Sequence, residues 1–134
     1  LPALVLLSAN LPPDARAADQ PHNLVLANRI RQYIGTHFTE QLTLEDIGEA
    51  LSMSPYHLAH IFKEITGMSV MNFLLACRIA EAKNQLIQTE TPIGLIAERC
   101  GFSDFSNFSR TFRKQTGLSP REYRAAKKYP LDSD

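Results

Sequence analysis

The sequence predicts an all-α chain of about seven helices, arranged as two helix-turn-helix subdomains joined by a long linker helix. Three observations carry that expectation. Apolar residues recur at three- and four-residue spacing from Asn23 onward, which is helical periodicity. Residues that open and close helices punctuate the pattern at regular intervals. A segment beginning at Ile47 then recurs from Ile96. No segment shows the strict alternation of a half-buried strand.

Taken in order, residues 1–22 hold four of the eight prolines, namely Pro2, Pro12, Pro13 and Pro21. They read as a linker or the remnant of a preceding domain. Asn23 is placed to cap a first helix, with Leu26, Ile30, Tyr33 or Ile34, and His37 or Phe38 on its apolar side. Thr43 and Asp46 form a capping-box pattern for a helix reaching about Leu51. Ser54-Pro55 opens another, with Leu58, Ile61, Phe62 and Ile65 inward and Gly67 as its stop. Ser69 starts the long helix, which buries Phe73, Leu74, Cys77, Ala80, Ala82 and Leu86 and ends near Gln88.

Thr91-Pro92 repeats the cap-plus-proline signal, for a helix with Ile93, Ile96, Ala97 and Cys100 that ends at Gly101. Ser103 or Asp104 begins the next, with Phe105, Phe108, Thr111 and Phe112 as its apolar positions and Gly117 as its stop. Ser119-Pro120-Arg121-Glu122 is a capping box for a last short helix through Tyr123 and Ala126.

The repeat is the strongest signal. Ile47–Ser54 aligns with Ile96–Ser103 at an offset of 49, and Leu58–Lys63 with Phe108–Arg113 at an offset of 50. The second copy therefore has one extra residue where its second helix starts. The match resumes at Thr66-Gly67-Met68-Ser69 and Thr116-Gly117-Leu118-Ser119. Each copy is a short helix, a tight turn and a helix with apolar residues four apart, the helix-turn-helix layout. Ser52 and Gly101 are the small turn residues, followed by Met53 and Phe102 as plugs between the helices. A duplicated solenoid hairpin is the rival, but solenoids ordinarily need at least three repeats.

Composition narrows the function. At 134 residues, 44% hydrophobic and 21% charged, the chain is one domain's worth of foldable protein. No stretch approaches the roughly 18 apolar residues of a membrane span, and two cysteines outside any pair motif fit the reduced thiols of a cytoplasmic protein, which is the expectation. Leu1–Leu7 is too short and lacks the basic flank of a signal peptide. Cys77 and Cys100 belong to no CxxC pair and read as buried reduced thiols.

His22, His37, His57 and His60 lack HExxH spacing, and no Gly-rich loop follows a strand. Neither an enzyme, a metal site nor a cofactor is expected. Net charge is zero, but its distribution is not even. Residues 1–62 hold three arginines against six acids, a balance of −3, while residues 99–128 hold eight basic residues against two acids, a balance of +6. A basic patch beside a helix-turn-helix repeat points to DNA. A purely protein-binding helical domain is the other class left open.

Phe102–Lys114, followed by Gly117-Leu118-Ser119-Pro120 and Tyr123-Arg124, closely resembles the C-terminal signature of AraC/XylS-type transcription regulators. The resemblance covers about residues 24–125. It implies an AraC-type DNA-binding domain over residues 23–128, divided as 23–68, a linker helix 69–89 and 90–128, with 129–134 as a tail. It further implies two modules reading adjacent major-groove segments of double-stranded DNA. Many members carry an N-terminal effector-binding or dimerisation domain, and most are activators. The start at Leu1 rather than Met fits a piece cut from such a protein. RNA polymerase is then a second implied partner.

A recognition helix inserts its outward, N-terminal residues into the groove. Helical geometry puts Tyr56, Ala59 and His60 outward in the first copy, and Ser106, Asn107, Ser109 and Arg110 in the second. These are the candidate base readers. Arg110 is the strongest, since arginine can bond guanine O6 and N7 together, and Asn107 suits adenine. His60 stands at the position equivalent to Arg110. Lys63 and Arg113, almost a turn further on, suit phosphates, which position without reading sequence. Thr43, Ser54 and Thr91, at helix N-termini, are further phosphate candidates. Two helices in successive grooves must lie about 34 Å apart, and the long helix spans about 30 Å.

Overall fold

A computed structural model describes residues 21–128. They divide into two compact units, residues 21–36 with 42–72, and residues 37–41 with 73–128. All regular structure among the described residues is helical.

The first unit begins with α1, Pro21–His37, which buries Leu26, Ala27, Ile30 and Ile34 along one stripe. The expected cap, Asn23, lies inside this helix. Pro21, assigned above to the linker, is already helical. Proline suits a first turn because its ring presets φ and its missing N–H would have had no intrahelical partner there.

Helix α2, Leu44–Leu51, opens on the expected capping box. Thr43 Oγ1 accepts the Asp46 N–H at 3.0 Å, and Asp46 Oδ2 accepts the Thr43 N–H at 3.0 Å. The turn that follows holds Ser52 in the left-handed region at φ 58°, which costs a non-glycine residue roughly 1 kcal/mol. Helix α3, Pro55–Thr66, has Ser54 Oγ accepting the His57 N–H at 3.1 Å, with Pro55 in the first turn. Leu58, Ile61 and Phe62 are buried, and Ile65 only half-buried. Helix α2 packs on α3.

Helix α3 closes on a small knot. Thr66 Oγ1 donates to the Phe62 carbonyl at 2.7 Å and accepts the Met68 N–H at 3.1 Å, while Gly67 takes φ 79°. Ser69 Oγ then accepts the Asn72 N–H at 3.1 Å and starts α4, Val70–Gln88, the helix that runs on into the second unit.

In the second unit α4 is joined by α5, Ile93–Arg99, α6, Phe105–Thr116, and α7, Pro120–Lys128. The core gathers Ile79, Ala82, Leu86, Ile96, Ala97, Cys100, Phe102, Phe108 and Phe112. Phe102 does plug the turn, edge-on to Phe108 with ring centroids 5.0 Å apart. Phe108 and Phe112 continue the aromatic column to Tyr123, whose ring is 5.3 Å from Phe112. Gly101 holds φ 102°. The Thr66 knot is repeated: Thr116 Oγ1 donates to the Phe112 carbonyl at 2.9 Å and accepts the Leu118 N–H at 3.1 Å.

Four expectations are corrected here. Ala80 is exposed, and Arg78 and Ile79 are buried in its place. A search for apolar positions passes over Arg78, which is buried because its guanidinium is satisfied: Nε donates to the Phe38 carbonyl and Nη2 to the Glu40 carbonyl, each at 2.7 Å. Thr91 is not the cap of α5. Pro92 holds that position without a side-chain bond, and the Thr91 N–H instead meets Thr89 Oγ1 at 3.2 Å.

Phe105 is 52% exposed rather than inward, its ring touching Phe108 at a centroid distance of 6.0 Å from the outer side. Phe73 and Cys77, expected on the buried side of α4, are only half-buried. Asp104, one of the two alternatives, caps α6 by accepting the Ser106 N–H at 3.1 Å. The Ser119–Glu122 capping box forms as expected, with bonds of 2.9 and 3.1 Å.

Candidate nucleic-acid interface

The buried stripe of each second helix dictates what the opposite side offers. On α3, packing of Leu58, Ile61 and Phe62 turns Tyr56, His60 and Lys63 to solvent and leaves Ala59 half-buried. Tyr56 is 80% exposed. Its ring lies parallel to His60, one turn on, with centroids 6.0 Å apart and planes 7° from parallel. The first module thus presents a flat aromatic and imidazole pair, suited to van der Waals contact with thymine methyls and to a single hydrogen bond on a purine edge.

On α6, burial of Phe108 and Phe112 turns Ser106, Asn107, Arg110 and Arg113 outward, with Ser109 half-buried. Arg110 Nη2 lies 3.5 Å from Asn107 Oδ1. That contact spans one turn and holds the two polar heads over the same exposed strip. Arg113 Nη1 is 3.4 Å from Glu122 Oε1, with both side chains well exposed. Such a pair is worth little, so Arg113 remains open to a stronger anion. The Glu122 carboxyl is held below its usual range, chiefly by the Ser119 N–H and further by Arg113.

The candidates at helix N-termini are differently placed. The hydroxyl oxygens of Thr43 and Ser54 accept the cap bonds of α2 and α3. The N–H groups of Thr43 and Thr91 already have acceptors within the chain, and Glu45 and Asp46 put negative charge into the first turn of α2. The Thr43 and Ser54 hydroxyls accept through their oxygens and keep the O–H to donate.

The basic patch also divides. Arg124 Nε donates to the Leu86 carbonyl at 3.0 Å, and Nη2 to the carbonyls of Thr89 and Thr91 at 3.1 and 2.8 Å. Lys128 pairs with Glu90 at 2.9 Å, its side chain only 13% exposed. These two cations hold the segment between α4 and α5. Charge counting missed this, because a sequence does not mark which cation faces a helix end. Arg99, Arg110, Arg113, Lys114, Arg121 and Lys127 stay exposed. Among the described residues, no three His, Cys, Asp or Glu side chains gather as a metal site. No single described helix is long and apolar enough to cross a membrane.

A family model described as a helix-turn-helix domain matches residues 47–126. The bifunctional transcriptional activator/DNA repair enzyme AdaA of Bacillus subtilis (strain 168) is 38% identical over 99 residues, covering 74% of this chain and 47% of that protein. The arabinose operon regulatory protein of Escherichia coli (strain K12) is 37% identical over 102 residues, covering 73% of this chain and 35% of that protein. The chain therefore spans between a third and a half of the length of these two relatives.

Among solved structures, the C-terminal domain of AraT, a response regulator from Geobacillus stearothermophilus, superposes with a TM-score of 0.75 at 38% identity, covering 81% of this chain and 91% of that one. The DNA-binding domain of AdpA, solved in complex with a target DNA, gives a TM-score of 0.71 at 25% identity, covering 79% and 97%. A matched model spanning both turns, with relatives and structures of one kind, places the chain in the AraC family of transcription regulators, as a helix-turn-helix DNA-binding domain.

Proposed function

We propose that this chain binds duplex DNA sequence-specifically through the exposed strips of α3 and α6, and that α6 contributes the larger share of affinity and discrimination. The observation that carries the reading is the Arg110–Asn107 pair, held 3.5 Å apart on a solvent-facing strip above a fully buried Phe108 and Phe112. Arginine and asparagine are the two side chains best matched to guanine and adenine edges in the major groove. Arg113 and Lys63 take phosphates alongside and set the register. On α3, Tyr56, Ala59 and His60 make a less polar contact, so specificity there leans on methyl groups and DNA shape.

The rest of the protein would supply effector sensing or dimerisation. An activating role, through contact with RNA polymerase in the cytoplasm, fits the word activator in the name of the B. subtilis relative. A titration of duplex DNA across salt concentrations tests the binding itself. The reading requires affinity to fall linearly, on logarithmic axes, as salt rises. A folded sample that fails to bind at low salt contradicts it, and would favour a purely protein-binding domain.

A further inference from the structure

The first unit carries a feature that the strip on α3 does not account for. A cleft of about 480 Å³ opens between α1 and the α2–α3 turn. Its floor is apolar, from Leu26 and Met53, and its ionisable lining is His22, Arg29 and His57, with Ser54 beside them. His22, Leu26 and Arg29 share one face of α1 because they are spaced four and three residues apart. Residues 1–62 have six acids and three arginines, yet no Asp or Glu lines this cleft among the described residues. It also sits at the N-terminal end of α3, whose first turn contains no acid, so the helix dipole adds to the attraction for an anion.

We infer that this cleft is a backbone-phosphate site of the first module, with Arg29 as its principal cation and His22 and His57 as hydrogen-bond donors. The inference rests on the DNA-binding reading above. The site lies at the first turn of α3, where His57 follows the solvent-facing Tyr56. It would add to the single phosphate cation of the recognition helix, since Lys63 is the one Lys or Arg on α3.

The test is a salt-dependent titration of random-sequence duplex with the full chain, Arg29→Ala and His57→Ala, each checked for fold by circular dichroism. Arg29 is on the exposed side of α1, so its truncation spares the core. Arg29→Ala should weaken binding severalfold at low salt, equally for any sequence, and reduce the salt slope by about one. His57→Ala should weaken binding by a smaller factor. An unchanged slope and affinity for Arg29→Ala, with the parent chain still binding, overturns the cleft but not the DNA reading. Failure of the parent chain to bind overturns both. A second readout follows the His22 and His57 ring proton resonances. Both should shift on adding duplex and not on adding millimolar inorganic phosphate. Saturable shifts with phosphate alone would mark a small-anion pocket and overturn the proposal.

Discussion

Arg110 and Arg113 are one turn apart on α6 and are argued into different roles by what surrounds them. Arg110 is steadied by Asn107, whereas Arg113 leans on the carboxylate of Glu122 toward α7. Replacing Arg110 with alanine should cost about 1–3 kcal/mol of discrimination at one base position, read as a narrowed ratio between specific and random duplex. Equal losses on both would contradict base reading. Replacing Arg113 should weaken both alike and flatten the salt slope by about one.

Cys100 belongs at this scale too. Burial, with the nearby Glu81 charge adding, raises its thiol pKa from 9.0 to about 11. A proton held more tightly in the folded state stabilises the fold fully below the unfolded pKa, and that share is lost as pH rises from 9 toward 11. Urea unfolding at pH 8 and pH 10 should therefore show stability falling, and falling less in Cys100→Ala. Cys77 is shifted in the same direction by burial, so the variant should keep part of the decline. An identical pH dependence in the two proteins would refute the assignment to Cys100.

At the scale of elements, most of the fold was legible because local chemistry and long-range packing agree. Thr43–Asp46, Ser54-Pro55 and Ser119–Glu122 announce three helix starts, and each side chain makes the bond its position implies. Ser52 and Gly101 announce both turns, with positive φ as the bend requires. The failures share a physical origin. Thr91, Ala80 and Phe105 are each placed by local pattern, and at each the packing or bonding of near neighbours differs from that pattern. The Thr91 N–H goes to Thr89 Oγ1, Arg78 takes a buried place on α4, and Phe105 touches the edge of the aromatic column at Phe108 while most of it meets solvent.

Two arginines are thus carbonyl clamps, Arg78 on the segment after α1 and Arg124, counted above in the basic patch, on the segment after α4. Arg124→Ala should lower stability by about 1–3 kcal/mol, because carbonyls at a helix end lose their donors. Chemical denaturation would measure it. Binding to DNA by the folded fraction should keep its salt slope. A slope reduced by one with unchanged stability would instead make Arg124 a phosphate contact.

For the whole molecule, the repeat explains the architecture, and its divergence is what the proposed division of labour rests on. Both units close their second helix with the same Thr-Gly knot and present the strip beside it. The outward placement of the candidate residues Tyr56, His60, Ser106, Asn107 and Arg110 was legible because an apolar stripe determines its own opposite face. The cleft between α1 and the first turn was not, because it joins residues about thirty positions apart whose pattern has no local signature. The account predicts a protein that holds the DNA backbone at both modules and reads bases mainly with the second. Enrichment of bound duplexes from a random-sequence pool tests that most directly. The predicted result is a single motif whose strongest position loses its preference when the selection is repeated with Arg110→Ala. Recovery of a pool no different from the input, with a folded chain that binds it, would contradict sequence-specific recognition.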